Sequence, residues 1–208
     1  MKSTEKKQTY FLRAAMMVLT TILIVLFFII ISLVGKIQGT ARVINYAGLV
    51  RGGTQLMVKL EISQEAQDER YREISDYIEG LRYGSKELNF ICLEDKNFQN
   101  KMDELACYFD ELRSEILLVR EKGYENTEII QKSNRFFQIC DEAVGYAEVY
   151  SQKKATALDY LEKVVFVDIL GLILIIGMEL VRALRFAAQN KILQKKVYLD
   201  EATGLPNK

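Results

Sequence analysis

Asn45, Gly48, Arg51 and Gln55 fall at spacings of three and four residues within INYAGLVRGGTQLMVKLE, residues 44–61, a pattern that sets them on a helix otherwise built for packing. Arg51 carries the chemistry of this group. Its guanidinium is a planar fork of N–H donors that suits a planar oxyanion or a carboxylate. Gly48, Gly52 and Gly53 interrupt the same stretch, and each costs a helix about 1 kcal/mol relative to Ala. A sequence keeps such residues where helices approach closely or where backbone must approach a ligand. Two readings follow: a small-ligand site on Asn45, Gly48, Arg51 and Gln55, or a structural Arg51 paired with a carboxylate such as Glu61 or Glu65.

Other chemistry is sparse. The chain has no histidine, and its three cysteines, Cys92, Cys107 and Cys140, lack C-x-x-C spacing, which argues against a zinc or haem site. No catalytic residue, metal ligand or cofactor is expected within these 208 residues. One disulfide with an odd thiol is one reading of the cysteines. The other is structural thiols, because Cys107 and Cys140 sit on apolar helical stripes where a thiol acts as a small hydrophobe. Twenty-eight basic residues balance 28 acidic ones, so there is no basic surplus to attract nucleic acid.

The elements that must position Arg51 are set by two apolar blocks. Residues 14–35 carry no charge and are rich in Leu, Ile, Val and Phe, with Arg13 and Lys36 at either end. At about 1.5 Å per residue they span a hydrocarbon core of ~30 Å. A cleaved signal peptide is the competing reading, but its apolar region would be about 7 to 15 residues long. The second block begins at Val164, and eleven of the residues from there to Met178 are Leu, Ile, Val or Phe. They contribute roughly −3 to −7 kcal/mol towards insertion, against about +2.5 to +3.5 kcal/mol for a central Asp, here Asp168. Asp168 is therefore either a functional intramembrane carboxyl or a residue at the outer interface beside Glu162 and Lys163.

Lys2, Lys6, Lys7 and Arg13 precede the first block, and Arg182, Arg185, Lys191, Lys195 and Lys196 follow the second. Basic flanks of this kind predict cytoplasmic termini in a two-pass protein of the cytoplasmic membrane, with lipid as a partner. The intervening residues 36–163 have the length of one extracytoplasmic domain. Their fold class should be all-α, since the chain's single proline is Pro206 and no strand-like alternation occurs.

Phe98, Met102, Leu105, Phe109, Leu112, Ile116 and Val119 alternate spacings of four and three after Asp95, which predicts one helix face closed by Gly123. Tyr71, Ile74, Ile78, Leu81 and Leu88 form a second stripe that Gly84 and Ser85 should cut short. A fourth helix, capped by Asn126 or Thr127, should turn Ile130, Phe137, Cys140, Val144, Ala147, Leu158 and Leu161 inward. Ala147 and Ser151 allow close helix approach, in the core or at a dimer interface. The first span should continue outward through Ile37, Val43, Val50 and Met57. An antiparallel four-helix bundle between two transmembrane helices is the expected architecture.

Two resemblances extend this reading. Asn45, Ala47, Gly48, Arg51, Thr54 and Gln55 match an N-x-A-G-x-x-R-x-x-(S/T)-Q pattern, and the string resembles the N-terminal sensor domain of type IV pili methyl-accepting proteins and of nitrate-responsive kinases and chemoreceptors. The resemblance implies a homodimer in which Arg51 faces its counterpart across a small bound anion. Leu49, Val50 and Leu56 depart from the polar residues of many relatives, and Gly52 and Gly53 from their larger apolar ones. Residues 200–208, DEATGLPNK, resemble the D-x-L-T-G-L-x-N-R entry of GGDEF domains, the diguanylate cyclases, on Asp200, Thr203, Gly204, Leu205, Asn207 and Lys208, with Ala202 departing. That implies GTP and magnesium for a cyclase domain of which only the start is present.

Ala183, Phe186, Asn190, Leu193 and Val197 form a short seam between the second span and this string. It fits a parallel coiled coil in which Asn190 fixes register, or a juxtamembrane helix resting on anionic lipid. The expected organisation is thus a cytoplasmic N-terminus (1–13), first span (14–35), sensor bundle (36–163), second span (164–181), linker helix (182–199) and truncated GGDEF start (200–208). Asp168, Asn190, Asp200, Thr203, Gly204 and Leu205 are the candidates for transmitting a signal along it. The alternatives are a chemoreceptor or kinase-like sensor, against which the missing histidine and the TGLPN string argue, and a stand-alone anchored bundle.

Overall fold

A computed structural model of the chain describes residues 2–198, with side chains described from 7 to 193. Among the described residues the regular structure is helical: α1 (Lys2–Ile62), α2 (Asp68–Tyr83), α3 (Lys96–Lys122), a 3-10 turn at Tyr124–Asn126 and α4 (Ile129–Tyr198). No strand is formed among the described residues, and Ser85 and Phe90 make an isolated bridge. Two compact units result, one of Ile30–Asp159 and one of the residues up to Ile29 and from Tyr160 onward.

Helix ends follow local chemistry. Around Gln64, whose φ is +60°, the Glu65 amide returns to the Leu60 carbonyl at 2.8 Å and closes α1. Gly84, at φ +81°, ends α2 by donating to Gly80 O, a conformation that costs a residue with a Cβ but not glycine. Asp95 caps α3, its Oδ1 accepting the amides of Asn97 and Phe98 at 3.0 Å. Gly123 closes that helix as the sequence predicts. The expected cap of α4 is corrected. Asn126 and Thr127 donate backwards, to Lys122 O and Tyr124 O, while the first helical carbonyl is that of Glu128, whose own amide donates to Glu115 Oε1 of α3 at 2.7 Å.

The unit Ile30–Asp159 buries one core drawn from all four helices. All seven predicted positions of α3 are buried, as are Ile74, Ile78 and Leu81 of α2 and Val43, Val50 and Met57 of α1. Aromatic rings link the helices: Tyr71 stacks on Phe109 at 4.8 Å between centroids, and Phe109 meets Phe136 at 5.6 Å. At the other end of α2, Tyr46 lies edge-on to both Phe90 and Tyr77. The extended stretch before α3 packs on α1 where Gly39 leaves room, since a Cβ there would lie 2.6 Å from Ile91 Cδ1.

The inward face of α4 is one residue out from the expected one at its start. Ile129, Phe136, Ile139, Cys140, Ala143 and Ala147 are buried, whereas Ile130 is 54% and Phe137 40% exposed. Doublets of equal hydropathy, Ile129-Ile130 and Phe136-Phe137, fit both faces, and packing against Phe109 selects Phe136.

The other unit has little core. Phe28, Val167 and Leu174 are about two-thirds exposed, at 65%, 67% and 67%, and α1 and α4 are each long and apolar enough to cross a membrane. Within this unit Leu12, Leu26, Asp168 and Ile175 are buried.

Phe136→Ala should cost about 3–5 kcal/mol by cavity formation, and Phe137→Ala no more than about 1–2 kcal/mol. Urea denaturation of the detergent-solubilised chain, followed by near-UV circular dichroism, measures both, and the opposite ranking would reverse the assigned face of α4.

Candidate functional site

Arg51 and Gln55 lie one turn apart on α1 and both turn to α4. Arg51 Nη1 donates to Asp141 Oδ1, and its guanidinium carbon stands 5.0 Å over the Phe137 ring. Gln55 Nε2 donates to Ser133 O at 3.0 Å and to Ser133 Oγ at 2.9 Å. Ser133, Phe137 and Asp141 thus form a four-residue ladder on α4 that answers a four-residue step on α1. The carboxylate partner is Asp141, which corrects the expected Glu61 or Glu65.

The remaining residues of the proposed ligand set do not join this pair. Asn45 is exposed and makes no side-chain hydrogen bond. Gly48 and Gly52 have open space where a Cβ would stand, while only Gly53 meets a neighbour, Ile74 of α2 at 3.4 Å. Helix contact therefore accounts for Gly53 and leaves Gly48 and Gly52 on an open face with Leu49 and Leu56, 48% and 42% exposed. Beside Gln55 a shallow groove of about 220 Å³ is lined by Val58, Lys59, Ile62, Ile130, Ser133 and Asn134, among others.

The strongest electrostatics lie elsewhere. Glu61, nearly fully buried, receives Arg120 through two hydrogen bonds of 2.9 and 2.6 Å, and Arg120 also reaches Asp68 at 2.7 Å. These contacts push the Arg120 pKa up, chiefly through Glu61, and Arg120 holds the Asp68 carboxyl below its usual range. Glu115, also buried, accepts from Lys132 at 2.9 Å and from the Glu128 amide. Those two bonds, Lys132 first, depress its pKa against the opposing effect of burial. Lys101 bridges Glu104 and Glu142, each at 2.6 Å, and lowers the Glu142 pKa. Each of these clusters joins different helices: α1, α2 and α3 at Arg120, and α3 with α4 at Glu115 and Lys101. No pattern of neighbouring residues marks them in the sequence.

All three cysteines are free. Cys140 is buried, and desolvation pushes its thiol up to about 12. Cys107 is exposed, which corrects its expected place on an apolar stripe: the buried positions beside it are Leu105 and Phe109. Asp168 is 7% exposed, buried among the helices of its own unit. Asn190 is exposed on α4 with Leu193 and Phe186. Asp200, Thr203, Gly204 and Leu205 lie outside the described residues. Among the described residues no cluster of Cys, Asp and Glu has metal-holding geometry.

Comparison with protein-family models, with curated proteins and with solved structures gave no match.

Arg120→Ala strands the buried Glu61 and should cost ~2–3 kcal/mol, whereas Arg51→Ala breaks a pair whose Asp141 is 60% exposed and should cost no more than about 1 kcal/mol. Denaturation midpoints of the two variants decide between these joints. Because Glu115, Asp68 and Glu142 are all depressed in the folded state, their stabilisation is full above the ordinary carboxylate range and lost as pH falls through the folded values. The melting temperature should be flat from about pH 5 to 7 and drop below ~pH 4, less steeply in Glu115→Gln. An equal acid slope in that variant would remove Glu115 from the cause.

Proposed function

We propose that this chain is the signal-sensing and transmitting module of a membrane-bound diguanylate cyclase, working as a homodimer. The observation that carries the reading is the order of parts along α1 and α4. Each helix has an apolar stretch fit to span a bilayer, and the separately cored unit Ile30–Asp159 lies between those stretches in sequence. Side chains exposed as fully as Phe28, Val167 and Leu174 suit lipid better than water. The basic flanks favour cytoplasmic termini, which puts the cored unit outside.

Within that unit an antiparallel four-helix bundle is the best-supported arrangement. As α1 steps back from Gln55 to Arg51, its α4 partners advance from Ser133 to Phe137 and Asp141. The connection between α1 and α2 and that between α3 and α4 are short enough for neighbouring antiparallel helices. Arg51 enters as a joint between α1 and α4, since one nitrogen and its ring-facing surface are already engaged. A small ligand, or a change in bundle packing, would bias one of two arrangements of this unit.

The output assignment rests on the sequence of residues 200–208 and its resemblance to the GGDEF entry. GTP and magnesium would bind to a domain beginning there, and no catalytic step is assigned to the residues described. The exposed seam of Ala183, Phe186, Asn190 and Leu193 on α4 supports dimerisation next to that domain.

One labelling experiment addresses topology and assembly together. In protoplasts, a membrane-impermeant maleimide should modify the exposed Cys92 and Cys107 and spare Cys140, and in the same membranes Leu193→Cys should cross-link between protomers. Modification only after lysis would invert the topology, and cross-linking no faster than at a lipid-facing control would sink the dimeric linker.

A further inference from the structure

Among the described residues of the two apolar stretches, Asp168 is a buried carboxyl that has neither a hydrogen bond at Oδ2 nor an ion pair. It is 7% exposed, and its Oδ2 is buried without a hydrogen bond. Its surroundings explain why none is available. Three residues further along α4, a Cβ at Gly171 would lie 3.3 Å from Leu19 Cδ1 of α1, so the two helices approach closely at this level. Ile175, one turn beyond, is buried as well, and on α1 Leu12 and Leu26 are buried at heptad distance on either side of Leu19. Asp168 therefore occupies a seam position between two otherwise apolar stripes.

No donor on α1 faces it, because residues 14–29 contain no ionisable side chain. The hydroxyls there, Thr20 and Thr21, are exposed and bond to Met16 O and Met17 O of their own helix. On α4 the nearest ionisable groups are Glu162 and Lys163 before it and Glu179 and Arg182 after it. Glu179 and Arg182 answer each other at 3.6 Å, a compensation that Asp168 lacks. A leucine or isoleucine at 168 would complete the seam, and an aspartate there opposes it, since a polar group taken from water without a partner destabilises the packed state.

We infer that Asp168 keeps the contact between the two membrane-spanning stretches deliberately weak, so that the pair exchanges between a closed and an opened arrangement and is biased by forces too small to move a fully apolar seam. The inference rests on the membrane reading above. An ionisable residue inside a span usually faces neighbouring helices rather than lipid and marks a functional position. Here the movement is assigned to the α1–α4 seam at Leu19 and Gly171. Opening lets the carboxyl meet water or headgroups, and closing buries the leucines and leaves the oxygen unanswered. Neither arrangement satisfies both sets of groups, which is the condition for two states of similar free energy.

The test uses the whole chain in lipid vesicles, with native cysteines replaced and a cysteine pair placed at Leu19 and Gly171. The rate of intramolecular disulfide formation reports closure, and intermolecular products separate as dimers on non-reducing gels. Asp168→Leu should raise that rate roughly tenfold, as removal of an unsatisfied buried polar group implies. Asp168→Asn keeps an unpartnered polar group and should stay near the parent. A Leu variant no faster than the parent, or Leu and Asn variants that accelerate together, overturns the inference. Flotation of the same vesicles separates this from failure of the underlying reading: a chain that does not float overturns the membrane assignment itself.

Discussion

Burial of the aromatic and aliphatic side chains shared by four helical segments is the interaction on which residues 30–159 depend. No single helix there has a large apolar surplus. α2 and α3 are amphipathic and rich in charge, so each is stable only when its stripe is covered. Phe98 and Met102 of α3, Leu81 of α2 and Phe136 of α4 have no exposed surface, and Val50 of α1 almost none. Removing one stripe therefore uncovers the other three. Such mutual dependence makes a cored unit fold as one cooperative body.

Charged residues then fix which geometry the greasy stripes adopt. Glu61 and Glu115 are buried acids that could not remain so unpaired. Arg120 and Lys132 meet them from other helices, and each pairing fixes the axial position of one helix against the next. The Glu115 carboxylate also holds the amide of Glu128, the residue that leads into α4. It thereby ties the start of α4 to α3. Arg51 and Asp141 belong to a different class. They lie near the surface, where ion pairs contribute little, and the Phe137 ring rather than the charge gives the contact its extent.

Much of this fold was legible in the sequence, and the failures are instructive. The α3 face could be read residue by residue because its stripe is unbroken and bounded by Asp95 and Gly123. The two apolar stretches were legible through their length and their near-continuous run of apolar residues, which Asp168 interrupts only once. On α4 the doublets at 129–130 and 136–137 left the face ambiguous, and only Phe109, far away in sequence, decides it. Asn126 and Thr127 have the right chemistry for a cap, yet their side chains serve the preceding turn. At the candidate site Arg51 and Gln55 could be singled out by type and spacing. Asp141 and Ser133 could not, since an exposed aspartate and a serine inside a helix announce nothing until α4 is laid against α1.

Where strain is tolerated follows from the same contrast between joints. Packed helices change arrangement most readily where their contacts are solvated and where their glycines lack neighbours. Both conditions meet around Arg51: its ion pair is screened by water, and Gly48 and Gly52 have open space beside them. The end of α1 at Glu61 is the opposite case, with a buried carboxylate clamped by two hydrogen bonds from Arg120, which also grips α2 through Asp68. Separating α1 from its neighbours there would strand a charge, whereas sliding it against α4 near Arg51 exchanges one exposed contact for another. Displacement of α1 against α4 is thus cheapest at the Arg51 contact, and the Glu61 end serves as the fixed point from which such a displacement is measured.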